Sequence, residues 1–131
     1  MTLEKFIVEA KRSSYASGNK PVKLDDGFEE FIFEKGIFRY RDRFFGSNPF
    51  IGQEIIFGRN LPIWGMNYIG GITDPNVDSK ELYKFLREAL AKITIENPYR
   101  GPDFHKNKKF TYWNSPIGQE ANFFMGRETI S

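Results

Sequence analysis

Phe50-Ile-Gly-Gln-Glu54-Ile-Ile-Phe-Gly58-Arg-Asn-Leu-Pro62-Ile-Trp64-Gly-Met-Asn67-Tyr-Ile-Gly70 is the stretch on which the reading of the fold turns. Two runs rich in β-branched and aromatic residues flank Arg59-Asn60, a plausible two-residue turn, so the stretch predicts a β-hairpin. Setting residue 58 opposite 61 and residue 55 opposite 64 sorts the side chains into two faces. One face carries Ile51, Gln53, Ile55 and Phe57 with Pro62, Trp64, Met66 and Tyr68, and its apolar character marks it as the core side. The other carries Gly52, Glu54 and Ile56 with Ile63, Gly65 and Asn67. There the glycines leave Glu54 and Asn67 beside missing side chains, a polar-floored notch where something can approach the backbone closely.

Upstream, Phe28–Glu34 and Ile37–Phe45 predict a second hairpin, turning at Lys35-Gly36. With 34 opposite 37, Phe33 meets Phe38, Phe31 meets Tyr40 and Glu30 meets Arg41, favourable cross-strand pairs. Arg39, Arg41 and Arg43 then share an outer face, while Asp42 lies on the aromatic face beside Tyr40 and Phe44. Before this hairpin, Thr2 caps a short helix with Leu3, Phe6, Ile7 and Ala10 on one side. After the opening stretch, Asp78 and Glu81 form a capping box for a longer helix over about 79–95, whose stripe is Leu82, Phe85, Leu86, Ala89, Leu90 and Ile93. Asn97-Pro98 stops it.

The phrase Ile51-Gly-Gln-Glu54 recurs as Ile117-Gly-Gln-Glu120, and Phe38-x-Tyr40-x-Asp42 has an echo in Phe110-x-Tyr112-x-Asn114. A partial duplication follows as the expectation: a first β repeat over about 28–70, the helix, and a truncated second repeat over about 108–131. The fold class is therefore α+β, with one domain over 1–131. Its antiparallel, curved sheet of about six or seven strands packs on the long helix and the short N-terminal one.

Composition bounds the function. A net charge of +2 gives no general attraction to nucleic acid. The absence of cysteine excludes disulfides and thiolate metal sites. A single His, His105, makes a transition-metal site improbable, and neither a metal nor a cofactor is expected. No apolar run approaches the length of a membrane span, and no signal-peptide core is visible, so the expected setting is the cytoplasm.

Phe38-x-Tyr40-x-Asp42-x-x-Phe45-Gly46, Phe50-x-Gly52-Gln53-Glu54, Pro62-x-Trp64-Gly65-Met66-Asn67-Tyr68 and Arg100-Gly101-Pro102 together resemble an uncharacterised bacterial and archaeal family, one of the domains of unknown function. The resemblance spans nearly the whole chain. It implies a domain found alone or behind a helix-turn-helix regulator domain, and this chain looks like a stand-alone member. The family pattern continues past the second repeat with another strand, and this chain departs from it by ending at Ser131. No activity comes with the resemblance.

The residues favour a small-molecule-binding or sensor-type module, with Glu54, Asn67, Asp42 and Gln53 as polar contacts and Tyr40, Trp64 and Tyr68 as walls. The alternative is an enzyme using the Glu54 and Asp42 carboxylates as acid and base, or around a hard cation. No nucleophile triad, phosphate loop or HExxH pattern supports it. A further alternative is nucleic-acid contact through the arginine row and Lys106–Lys109, weakened by the interleaved glutamates. A homodimer through an exposed Phe-rich edge completes the expected partners.

Overall fold

The computed structural model describes residues 1–120 and 123–131, with side chains for 1–115 and 125–131. The chain begins with helix α1 (Leu3–Ser13), capped by the Thr2 hydroxyl, which accepts from the Lys5 N–H at 3.3 Å. A single 3-10 turn, Tyr15–Ser17, leads into a meander of β1 (Val22–Lys23), β2 (Glu29–Lys35), β3 (Phe38–Gly46), β4 (Phe50–Gly58) and β5 (Leu61–Gly70). Helix α2 (Ser79–Leu90) follows, then β6 (Phe104–Lys106), β7 (Thr111–Glu120) and β8 (Phe123–Ile130). The strands form two antiparallel sheets, β1-β2-β3-β4-β5 and β6-β7-β8, rather than the single curved sheet expected.

Each helix builds its main core cluster with one sheet. From α1, Phe6, Ile7 and Ala10 bury themselves against Tyr40 and Ile56. From α2, Phe85, Leu86, Ala89 and Leu90 pack on Phe110 and Tyr112. Asp78 caps α2 by accepting from the N–H groups of Lys80 and Glu81, but the box does not close, because the Glu81 carboxylate binds Lys109 instead. The helix is also shorter than its apolar stripe. It ends at Leu90 in tightened turns, and Ile93 enters the core from beyond the helix, with its carbonyl taken by Arg12 at 2.6 Å.

Both hairpins form, with registers that differ from those expected. In the β2–β3 hairpin the turn is Gly36-Ile37, with Gly36 at φ 61°, so Phe33 faces Tyr40 and Phe31 faces Asp42. The shift is two residues, which moves partners but leaves every side chain on its face. Arg43 pairs with Glu30 at 2.7 Å and Arg39 with Glu34 at 3.4 Å on the outer face.

In the β4–β5 hairpin the turn is Arg59-Asn60, both with positive φ, as expected. A β-bulge then intervenes: Phe57 pairs with Pro62, but Ile56 pairs with Trp64. Ile63 is the extra residue, and beyond it the register slips by one. Trp64, Met66 and Tyr68 still face inward, but their companions are Gly52, Glu54 and Ile56. The residues expected in the core, Ile51, Gln53, Ile55 and Phe57, face out together with Pro62, which precedes the bulge, and Ile51, Gln53 and Pro62 are exposed.

Candidate functional site

The bulge decides what lies inside. On β3 and β4, Asp42 and Glu54 stand directly opposite each other on the inner face, and both are buried. Neighbouring elements supply partners for them. The Tyr40 hydroxyl donates to Glu54 Oε1 across the strand pair, and the Tyr68 hydroxyl donates to Asp42 Oδ1 at 2.5 Å. Gly52 makes this second bond possible. A Cβ there would come within 2.3 Å of the Tyr68 ring and 2.8 Å of Phe44 Cβ, so only glycine lets the ring lie across β4.

Two cations complete the cluster. Lys11, the last residue of α1's buried face, places Nζ 3.3 Å from Glu54 Oε2. The contact is an ion pair without hydrogen-bond geometry, so a buried donor and a buried acceptor are left incompletely satisfied. Arg100, on the connection after α2, lies over the Tyr68 ring at 5.3 Å and donates from Nε to Glu128 at 2.5 Å.

This crowding shifts the titrations. Burial, reinforced by the Glu54 carboxylate, pushes Asp42 up to about 7 against the Tyr68 hydrogen bond and the two cations. Burial lowers Lys11, with Arg100 adding to the effect and Glu54 opposing it. Burial and the adjacent carboxylates raise both tyrosines, so Tyr40 and Tyr68 remain protonated donors. For Arg100, burial works against the charge, but Glu128 and Glu54 outweigh it and the guanidinium stays charged.

The cluster floors a cavity of about 110 Å³ between the first sheet and α2. Phe44, Phe50, Tyr83 and Leu86 wall it, and Asp42, Glu54 and Arg100 reach it. Tyr83 is fixed by donating to the Ser47 carbonyl. Among the described residues, no three His, Cys, Asp or Glu side chains gather in a way that would hold a metal ion.

A second version of the arrangement occurs in the other sheet. There β7 and β8 pair Tyr112 with Ile130 and Asn114 with Glu128, as β3 and β4 pair Tyr40 with Ile56 and Asp42 with Glu54. Tyr112 donates to Glu128 Oε2 while Arg100 takes Oε1, so both oxygens are satisfied. Gly101 leaves room for that tyrosine, since a Cβ there would meet its hydroxyl at 2.5 Å. The second cluster is closed, and it carries an amide where the first has an ionisable acid.

Of the residues singled out from the sequence, Asp42, Glu54, Tyr40 and Tyr68 come together. Trp64 faces inward but stands near α1, stacked on Tyr99 at 5.9 Å and 5.9 Å from Lys11 Nζ, and it does not line the cavity. Gln53 and Asn67 lie on the opposite face of the sheet, bonded to each other at 2.9 Å. The bulge put them there, and the expected notch with Gly65 does not form. Lys11, Arg100 and Glu128 escaped the sequence reading. A lysine directly after Ala10 on an apolar helix face was the available signal for the first, and the Arg100-Gly101-Pro102 motif for the second.

A family model for domains of unknown function, DUF5680, matches residues 42–131. The chain belongs to the DUF5680 family. The DUF5680 match takes in Asp42, Glu54, Tyr68, Arg100 and Glu128, whereas Lys11 and Tyr40 precede it. Searches of curated proteins and of solved structures gave no match.

Proposed function

We propose that the protein is a small-molecule-binding module, of the kind used as a sensor, and that its ligand occupies the cavity above Asp42 and Glu54. The observation that carries the reading is the pair of opposed, buried carboxylates at the floor of an aromatic-walled cavity. Burying two acids side by side costs stability, and the fold does not require it, since the equivalent pair in the second sheet is Asn114 and Glu128. Apolar walls with a few convergent polar groups are the usual make-up of a ligand pocket, and perturbed titrations concentrate at such sites. Comparing the intact protein with its Asp42→Asn and Tyr68→Phe variants in a thermal-shift screen of small metabolites tests it. A ligand should raise the midpoint of the wild type and not of the variants. A broad screen with no shift in the wild type would remove the reading.

A second reading, an enzyme using Asp42 as general acid and base, draws on one observation: its carboxyl is pushed up to about 7, where it can hold or release a proton near neutrality. Turnover of a bound ligand, lost in Asp42→Asn, would support it over simple binding. The matching registers of β3–β4 and β7–β8 further support descent of the two hairpins from one duplicated unit. That alignment pairs Gly52-x-Glu54-x-Ile56 with Gly126-x-Glu128-x-Ile130. The identical Ile-Gly-Gln-Glu phrases do not correspond under it, because the first lies on β4 and the second on β7. The side chains of Ile117 to Glu120 lie outside the described residues. No helix of the described residues is long and apolar enough to cross a membrane, and a cytoplasmic setting is part of the proposal.

A further inference from the structure

We propose that the cavity selects a small zwitterion, its ammonium group held at Asp42 and its carboxylate at Arg100, the class to which short α-amino acids belong. This rests on the cavity being a ligand site, as argued above.

Opposite charges line one cavity without pairing. Among the described residues Asp42 accepts from Tyr68 alone, on Oδ1, and no bond to Oδ2 is made. Arg100 spends Nε on Glu128 and presents a planar guanidinium whose two Nη groups carry no further bond among the described residues. Asp42 and Arg100 both line the cavity, yet they form no ion pair with each other. The remaining charges are already matched, Lys11 with Glu54 and Arg100 with Glu128. Asp42 is the carboxyl left over, and a ligand ammonium is the partner for its ionised form that the described residues do not provide.

Single-charge ligands fit less well. A carboxylate alone would satisfy Arg100 but bring a third anion towards Asp42 and Glu54. An amine alone would satisfy Asp42 but leave the Arg100 Nη donors unused and sit close to two cations, Arg100 and Lys11. A zwitterion meets both ends, with Arg offering the bidentate fork that carboxylates favour. The faces of Phe44, Phe50 and Tyr83 then cover the ammonium and a short side chain. Size points the same way. The cavity, at about 110 Å³, is smaller than the roughly 150 Å³ that accommodates benzene, so the enclosed part of a ligand has about four or five non-hydrogen atoms.

Titration calorimetry on the full chain with L-alanine, propionate, ethylamine and glycerol tests the inference. L-Alanine should bind, with propionate and ethylamine weaker by about tenfold or more, because each lacks one charge-assisted contact. Asp42→Asn should reduce L-alanine to the level of propionate. Because unliganded Asp42 holds its proton near neutrality, L-alanine binding should also release protons at pH 6.5, seen as a heat that differs between buffers of different ionisation enthalpy. Equal binding of propionate or ethylamine, or an Asp42→Asn variant of full affinity, overturns the zwitterion assignment. If glycerol binds and none of the charged probes does, the ligand class falls while the pocket stands. If neither these probes nor a broad metabolite screen yields binding, both fall.

Discussion

Replacing Asp42 by Asn should stabilise the protein, increasingly as the pH rises from about 4 to about 7. Asn has the shape of a protonated Asp, and its Oδ1 can still accept from the Tyr68 hydroxyl, so the change removes the charge and little else. In the unfolded chain Asp42 returns to an ordinary carboxylate value, near 3.8, while burial and Glu54 hold it at about 7 in the folded protein. Between those values the folded protein keeps a proton that the unfolded chain has released. Raising the pH through this window therefore weakens folding, and above about 7 the full cost of a buried charge is present. Below about pH 4 both states are protonated and the effect vanishes. A difference of roughly three pH units at about 1.4 kcal/mol each sets an upper limit near 4 kcal/mol. Relaxation of Lys11 and Arg100 towards the charge brings the expected gain for Asp42→Asn at pH 8 to about 2–4 kcal/mol. At about pH 4 the variant and the wild type should agree within about 1 kcal/mol, the ordinary size of a polar replacement. Urea denaturation of both proteins at intervals from about pH 4 to 8.5 reads this directly. Wild-type stability should fall with pH relative to the variant. Parallel curves across the range, or a variant that loses ground as the pH rises, would refute the electrostatic account of the site.

Three other substitutions probe the parts that hold the cluster. Lys11→Met removes the counter-charge of buried Glu54 and should cost about 3–5 kcal/mol in urea melts, with much of it recovered in Lys11→Met/Glu54→Gln, where the orphaned charge is also gone. Gly52→Ala places a Cβ 2.3 Å from the Tyr68 ring, so it should cost about 1–3 kcal/mol and abolish ligand shifts by driving Tyr68 off Asp42; an unchanged melt would mean that β4 can move aside. Gln53→Ala and Asn67→Ala, on the outer face, should each stay within about 0.5 kcal/mol of wild type and leave ligand binding intact. Loss of binding in either variant would place the site on the wrong side of the sheet.

The sequence was most informative where local chemistry dominates and least where one residue changes the count. Turn residues and alternation located β2 to β5, Thr2 and Asp78 capped the helices they were expected to cap, and Leu3, Phe6, Ile7 and Ala10 face the core. The β2–β3 register was wrong by two, which is harmless to face assignment. The β4–β5 register was wrong by one after Ile63, and one residue of slip reverses every side chain on a strand. The β5 face was still read correctly, because Trp64, Met66 and Tyr68 announce themselves by bulk. The β4 face was not, because Ile51, Ile55 and Phe57 look more like a core than Gly52, Glu54 and Ile56 do. Acids are seldom buried unless paired, and here the partners come from far along the chain: Lys11 from α1, Tyr40 from β3 and Tyr68 from β5.

The same distance effect disguised the internal symmetry. An identical Ile-Gly-Gln-Glu phrase drew attention to β7, whereas the residues occupying equivalent positions share only a thin pattern, Tyr-x-Asp/Asn on one strand and Gly-x-Glu-x-Ile on the next. The tyrosine binds the glutamate diagonally across the pair in both, whereas the glycine that makes room for a tyrosine is Gly52 in the first cluster and Gly101 in the second. The differences within the pattern then separate the two clusters. Arg100 and Tyr112 saturate Glu128 beside a neutral Asn114, which makes a structural brace. Lys11 only partly satisfies Glu54, and Asp42 stands where that asparagine would. One framework therefore carries a closed cluster and an open one, and the open one faces the cavity.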